Sequence, residues 1–200
     1  MEQTIINAIE TYGYVAVFTL LLLETVFPPI PSEVILLTTG VAVAHTEMTG
    51  MAAIGFSTFG SYIGACLLYT LGRKVPLEKL RTWSTKGIMA KFGLDYTSIL
   101  KGKRIFQEKG NLIVFFGRFI PMIRSIISIP AGMSKMNFFS FSLFTLLGSG
   151  LWNSLSICIG YKAGDSWRDI LRFFHYYTEI ILIILVIVLG GLFYLWKRRN

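Results

Sequence analysis

The sequence predicts an all-α integral membrane protein, and three features carry that prediction. Residues 51–72 and 138–161 contain no charged residue and 176–196 carries only Glu179, so each stretch can cross a ~30 Å hydrocarbon core as a helix. Only 15% of the residues are charged, where soluble domains average about 25%, and the mean hydropathy is +0.61. Two shorter apolar stretches are broken by prolines and charges, and they recur in the same order. The predicted architecture is two inverted repeats, each a re-entrant helical hairpin plus a transmembrane helix. Cytoplasmic amphipathic helices link the repeats, and one extra C-terminal transmembrane helix follows. All of it forms a single membrane domain over 1–200, with repeat 1 at 13–72, the linker at 73–109, repeat 2 at 110–164 and the last helix at 176–196.

Residues 1–12 carry Glu2 and Glu10 without a basic residue and fit a short surface helix on the non-cytoplasmic side. No Lys or Arg precedes the first apolar run and no small-residue cleavage site follows it, unlike a cleaved signal peptide. From Gly13 the chain turns apolar, meets Glu24, Pro28, Pro29, Pro31 and Glu33, and turns apolar again over 34–44. Neither run is long enough for a comfortable crossing, which is the pattern of a hairpin that dips into the membrane and returns. The span 51–72 holds Gly60 and Gly64 at the spacing that lets helices approach closely. In 73–109, Trp83, Ile88, Phe92 and Phe106 alternate with Lys and Arg, as in helices lying on a membrane surface. Residues 111–119 and 126–131 form the arms of a second hairpin, and 138–161 is its span.

The halves match at an offset of 92, which pairs Phe27 with Phe119, Pro29 with Pro121, Gly40 with Gly132, Cys66 with Cys158, Tyr69 with Tyr161 and Gly72 with Gly164. Farther upstream the offset becomes 97, pairing Gly13 with Gly110 and Phe18 with Phe115. A hairpin plus one span crosses the membrane an odd number of times, so the second copy must be inverted. Inverted repeats with interrupted helices meeting near the midplane are a transporter design.

The net charge of +8 is concentrated rather than spread. Residues 73–109 hold ten Lys and Arg against Glu78, Asp95 and Glu108, and Lys197, Arg198 and Arg199 form the other cluster. Basic residues beside spans mark the cytoplasmic side and attract anionic headgroups. The distribution predicts lipid contact and excludes nucleic acid as a partner; the linker and the C-terminus are expected in the cytoplasm and the N-terminus outside. A pseudo-two-fold axis would put Cys66 and Cys158 at opposite surfaces, too far apart to bridge. His45 and His175 stand alone, so no metal or cofactor is expected, and no nucleophile with a base partner marks an enzyme.

The functional reading centres on 116–136, where Arg118, Pro121, Arg124 and Pro130 interrupt apolar sequence. An arginine at bilayer depth costs roughly 2.5–3.5 kcal/mol on insertion scales and should face protein, water or ligand. Two guanidiniums six residues apart across a proline break can converge on one phosphate, and a helix starting near Ser125 would add free N–H groups. Glu24 and Glu33 occupy the matching hairpin. Burial and neighbouring arginines act on a carboxylate in opposite senses, which suits a proton-coupled switch; the competing reading is a structural ion-pair set. Asn153 reads as a helix-packing or substrate hydrogen-bonding group.

Several strings resemble the DedA family, also called the SNARE-associated or VTT-domain family. They are Glu24 with Pro28-Pro29-Ile30-Pro31-Ser32-Glu33, Tyr69-x-x-Gly72-Arg73, Gly117-Arg118-Phe119-Ile120-Pro121-x-x-Arg124, Pro130-Ala131-Gly132-Met133 and Gly148-x-x-x-Trp152-Asn153. The resemblance covers 13–165 and implies a bacterial cytoplasmic-membrane flippase driven by the proton motive force. The lipid it implies is undecaprenyl phosphate, or alternatively phosphatidylethanolamine or phospholipids in general. It also implies that two acidic residues and two arginines are essential, here Glu24, Glu33, Arg118 and Arg124. A proton-coupled exchanger for a small ion or drug remains the alternative, and a homo-oligomer is compatible with the sequence.

Overall fold

The computed structural model describes residues 2–27, 32–75, 96–121, 123–166, 169, 170 and 176. The expectations for Pro28, Pro29 and Pro31, for most of the linker and for the last transmembrane helix fall outside those residues. Helix α1 (Glu2–Tyr12) docks through Ile5 and Ile9, both buried. It stops at Gly13, whose φ of 55° and ψ of −129° only glycine adopts without strain. Helices α2 (Tyr14–Val26) and α3 (Ser32–His45) are the arms of the first hairpin, and α4 (Gly50–Arg73) follows. The second half contains α5 (Tyr96–Gly117), the short α6 (Ile123–Ile126) and α7 (Ser128–Met133), and α8 (Phe138–Ala163), closed by a 3-10 turn at Gly164–Ser166. Asn137 caps α8, its side-chain oxygen accepting from the Phe139 and Ser140 amides, which satisfies two of the amides every helix start leaves free.

Among the described residues, α4 and α8 are the two helices long and apolar enough to cross a membrane. Their outer faces carry Phe56, Phe59, Leu67, Leu147, Leu151 and Leu155, all exposed, while serines, threonines and asparagine lie inside. That polarity suits a hydrocarbon solvent. Tyr69 meets Phe138, Tyr62 donates to Ser142 at 3.0 Å and Thr58 faces Gly150, so the two helices run antiparallel.

Each hairpin straddles both central helices. Its first arm packs on its own span, α2 on α4 and α5 on α8, and its second arm packs on the other span, α3 on α8 and α7 on α4. Small residues make the exchange possible. A Cβ on Gly132 would overlap the Tyr69 carbonyl, and one on Gly40 would overlap that of Ile157; Gly72 and Gly160 likewise lie against the backbone of Ile129 and Leu37. Gly132→Ala is therefore expected to lower stability by about 1–3 kcal/mol through overpacking. Gly55→Ala meets nothing within 4 Å and should leave it unchanged or higher. Thermal unfolding in detergent compares the two.

The expected register of the spans needs correction. The spans correspond at 88 residues, not 92: Ser57 and Thr145, Gly60 and Gly148, Ser61 and Ser149, Ala65 and Asn153, Tyr69 and Ile157, and Gly72 and Gly160 are buried pair by pair. The pairings of Cys66 with Cys158, Tyr69 with Tyr161 and Gly72 with Gly164 are thus one helical turn out of register. The other offsets hold, because Gly60 and Gly148 pack on Phe18 and Phe115, and Gly40 and Gly132 occupy matching crossings. Helix α5 runs through Gly110, which packs on Met136, because a single interior glycine weakens a helix by only about 1 kcal/mol.

Candidate functional site

The chain breaks between α5 and α6 at buried Pro121, and the freed groups are re-bonded locally. The Ile123 amide donates to Pro121 O and the Arg124 amide to Ile120 O. This break lets two arginines six residues apart point into one interior. Arg118 is fully buried, its Nη2 donating to Ser128 Oγ at 3.0 Å and to Thr145 Oγ1 at 3.3 Å. Thr145 lies seven residues into α8, about 10 Å along its axis, so the guanidinium stands well inside the span. Gly148 gives it room, since a Cβ there would press on the Arg118 side chain at 3.1 Å.

Arg124 is buried and faces Glu24 at 3.8 Å. The Glu24 carboxylate accepts from Ser125 Oγ at 3.1 Å and from Thr25 Oγ1 at 3.4 Å, and Glu33 and Arg118 also lie within its electrostatic reach. The structure thus brings the four predicted charges into one cluster where the first arm of hairpin one meets the tip of hairpin two. Its hydrogen bonding is incomplete among the described residues: Arg118 Nε, Glu33 Oε1 and both Arg124 terminal nitrogens, of which Nη2 faces Glu24 beyond hydrogen-bond distance, are buried without a hydrogen-bond partner, as are both Asn153 amide atoms on α8. Buried donors left unmade cost about 1–3 kcal/mol each.

The remaining predicted residues divide by place. Ser125 donates to Glu24; it lies in the first turn of a helical stretch that runs from Ile123 through Ile127, whose own backbone is helical, to Met133, so that α6 and α7 are nearly continuous. Tyr69, Gly72, Arg73, Pro130 and Gly132 hold α7 on α4 rather than lining the cluster: the Tyr69 hydroxyl donates to Met136 O, and Arg73 Nη1 donates to Tyr69 Oη at 3.4 Å. Trp152 sits edge-on to Phe119 with ring centroids 6.1 Å apart. Sequence reasoning missed Thr25, Ser128 and Thr145. For Thr145 alone there was a partial signal, since Thr145 and Ser149 recur four apart on the inner face of an apolar span, as Ser57 and Ser61 do.

A family model described as the VTT domain matches residues 30–162, which takes in Glu33, Arg118, Arg124 and both long helices. The chain belongs to the VTT-domain, or DedA, family. Similarity to individual VTT-domain proteins runs over almost the entire length. The chain is 33% identical over 203 residues to undecaprenyl phosphate transporter A of Staphylococcus aureus, covering 100% of this chain and 99% of the relative. Against undecaprenyl phosphate transporter A of Bacillus subtilis it is 30% identical over 194 residues, 97% and 93% of the two chains. It is also 37% identical over 200 residues to an alkaline phosphatase-like protein of Lactococcus lactis, 99% of this chain and 94% of that one. No solved structure matches. This VTT-domain chain is a helical membrane protein with bacterial relatives named as transporters.

Proposed function

We propose that this protein is a transporter, not an enzyme, which flips a phosphate-bearing lipid across the bacterial cytoplasmic membrane, and that the lipid is undecaprenyl phosphate. The observation that carries this reading is the buried cluster itself, in which the Arg124 terminal nitrogens and Arg118 Nε make no hydrogen bond among the described residues, in a chain alike over nearly its full length to two proteins named for that lipid. A phosphate meeting Arg118 and Arg124 would find the fork donors that its oxygens fit bidentately. Two arginines and two glutamates formally balance, so an incoming anion leaves excess negative charge in a low-dielectric interior. A proton taken up on Glu24 or Glu33 restores the balance, which couples lipid movement to the proton gradient.

The antiparallel central helices, the exchanged hairpin arms and the matched burial of α4 and α8 support two inverted repeats. The basic linker and tail face the cytoplasm in this reading, and the N-terminus faces outside; a tag after Asn200 should be reached only from the cytoplasmic side. Purified protein in vesicles should move labelled undecaprenyl phosphate between leaflets faster when a pH gradient is imposed. Glu24→Gln, which keeps shape and removes the titrating proton, should leave lipid-phosphate binding largely intact and abolish that pH response. Equal movement of phosphatidylethanolamine would widen the substrate to phospholipids. Transport of a soluble ion or drug instead would replace the lipid reading, and steady release of inorganic phosphate would make the protein a hydrolase.

A further inference from the structure

One unequal pair between the two halves changes the shape of the surface, Tyr69 against Ile157. Tyr69 of α4 fills the space beside α7: its ring stacks on Phe141 with centroids 4.5 Å apart, leans on Phe138 at 5.6 Å, and its hydroxyl donates to Met136 O. Its counterpart where α8 meets α3 is Ile157, which has neither ring nor hydroxyl. On that side a cleft of about 390 Å³ opens between the end of α3, the start of α4 and the end of α8. Val43, Ile54 and Ile157 line it with Cys158, Tyr161 and Lys162.

The cleft has the character of an amphiphile site. Its walls are mostly apolar, and among the described residues Lys162 is the one charged residue lining it. Lys162 belongs to the last turn of a span and stands beside half-exposed Tyr161, the depth at which lysine and tyrosine meet lipid headgroups. The volume falls within the ~300–1,000 Å³ of ordinary ligand pockets, enough for a headgroup and a few carbons, while the rest of a chain can lie along the exposed apolar faces of α4 and α8. Lys74, 88 residues before Lys162, stands just past the end of α4.

We propose that this cleft is a second lipid site, separate from the buried charge cluster. It holds the anionic phosphate of a membrane lipid on the Lys162 ammonium and the first carbons of the tail against Val43, Ile54 and Ile157. The choice of ligand class rests on the lipid-phosphate reading above. Charge complementarity selects an anionic lipid over a neutral one: an ammonium at the rim of an apolar cleft matches a phosphate at the end of an apolar chain.

Cys158 lies in the cleft and is exposed, which makes it a reporter. In a Cys66→Ser background, the rate at which a maleimide labels Cys158 is measured in vesicles of phosphatidylcholine with and without undecaprenyl phosphate. The phosphate lipid should slow labelling several-fold. Lys162→Gln should abolish the protection and Lys162→Arg should keep it, which separates loss of charge from loss of fold. Arg118→Lys should leave the protection in place, because the central cluster is a different site. Equal labelling with and without the phosphate lipid, or protection that survives Lys162→Gln, would overturn the proposal. So would a Cys158 that is unreactive in every vesicle, since another part of the chain would then fill the cleft. If no lipid were transported but Lys162-dependent protection persisted, the transport reading would fall and this site would stand; lost protection with transport intact would remove only this site.

Discussion

Arg124→Gln, with Glu24 left in place, is expected to lower the stability of the protein by about 3–5 kcal/mol, the usual consequence of stranding one member of a buried ion pair. Both groups are buried, at 3.8 Å from each other. Removing the guanidinium leaves the Glu24 carboxylate with the hydroxyls of Ser125 and Thr25 as its hydrogen-bond donors among the described residues. The double variant Glu24→Gln/Arg124→Gln should recover most of the loss, because two neutral amides of similar shape carry no stranded charge. Thermal or denaturant unfolding of the four proteins in detergent forms a complete cycle, whose non-additivity is the coupling between the two groups. Additive single losses would mean that the pair does not act as one unit. Lipid movement should be lost in the double variant even though it folds, since its cluster retains one guanidinium and one carboxylate.

Arg118→Lys should leave the protein folded and weaken lipid-phosphate binding by roughly 10- to 100-fold, the equivalent of losing one charge-assisted hydrogen bond of about 1.5–3 kcal/mol. Lysine keeps the charge and can reach one of the two hydroxyls, Ser128 or Thr145, that now hold the arginine. It has no second arm for a phosphate oxygen and no counterpart of the unpartnered Nε. Lipid binding and thermal stability measured on the same preparations separate the two readings of the cluster. Activity lost only in proportion to the unfolded fraction would make the charges structural and end the phosphate-site reading.

Much of the candidate site was legible because charge in apolar sequence is conspicuous: Glu24, Glu33, Arg118 and Arg124 could only be buried together or wasted. Their hydroxyl partners were harder to see. Serine and threonine inside membrane helices are commonplace packing residues, and nothing local tells Thr145, which holds Arg118, from Ser149, which does not. The hydroxyl of Ser125 is taken by a carboxylate 101 residues away, a partner that no local pattern reveals.

By itself the sequence determined the membrane class, the two long described helices, the hairpin breaks and the charges that the fold must hide, since each follows from local composition and the energetics of apolar surroundings. Tertiary structure alone decided which hairpin arm lies on which span, the 88-residue register of α4 and α8, and the exchange of Tyr69 for Ile157 that leaves one cleft filled and the other open. The physical reason is the geometry of the helix. A shift of four residues turns it by about one full turn, so registers of 88 and 92 present nearly the same face, and matching letters cannot choose between them. Backbone contacts at Gly72 and Gly160, which depend on segments distant in the chain, make that choice.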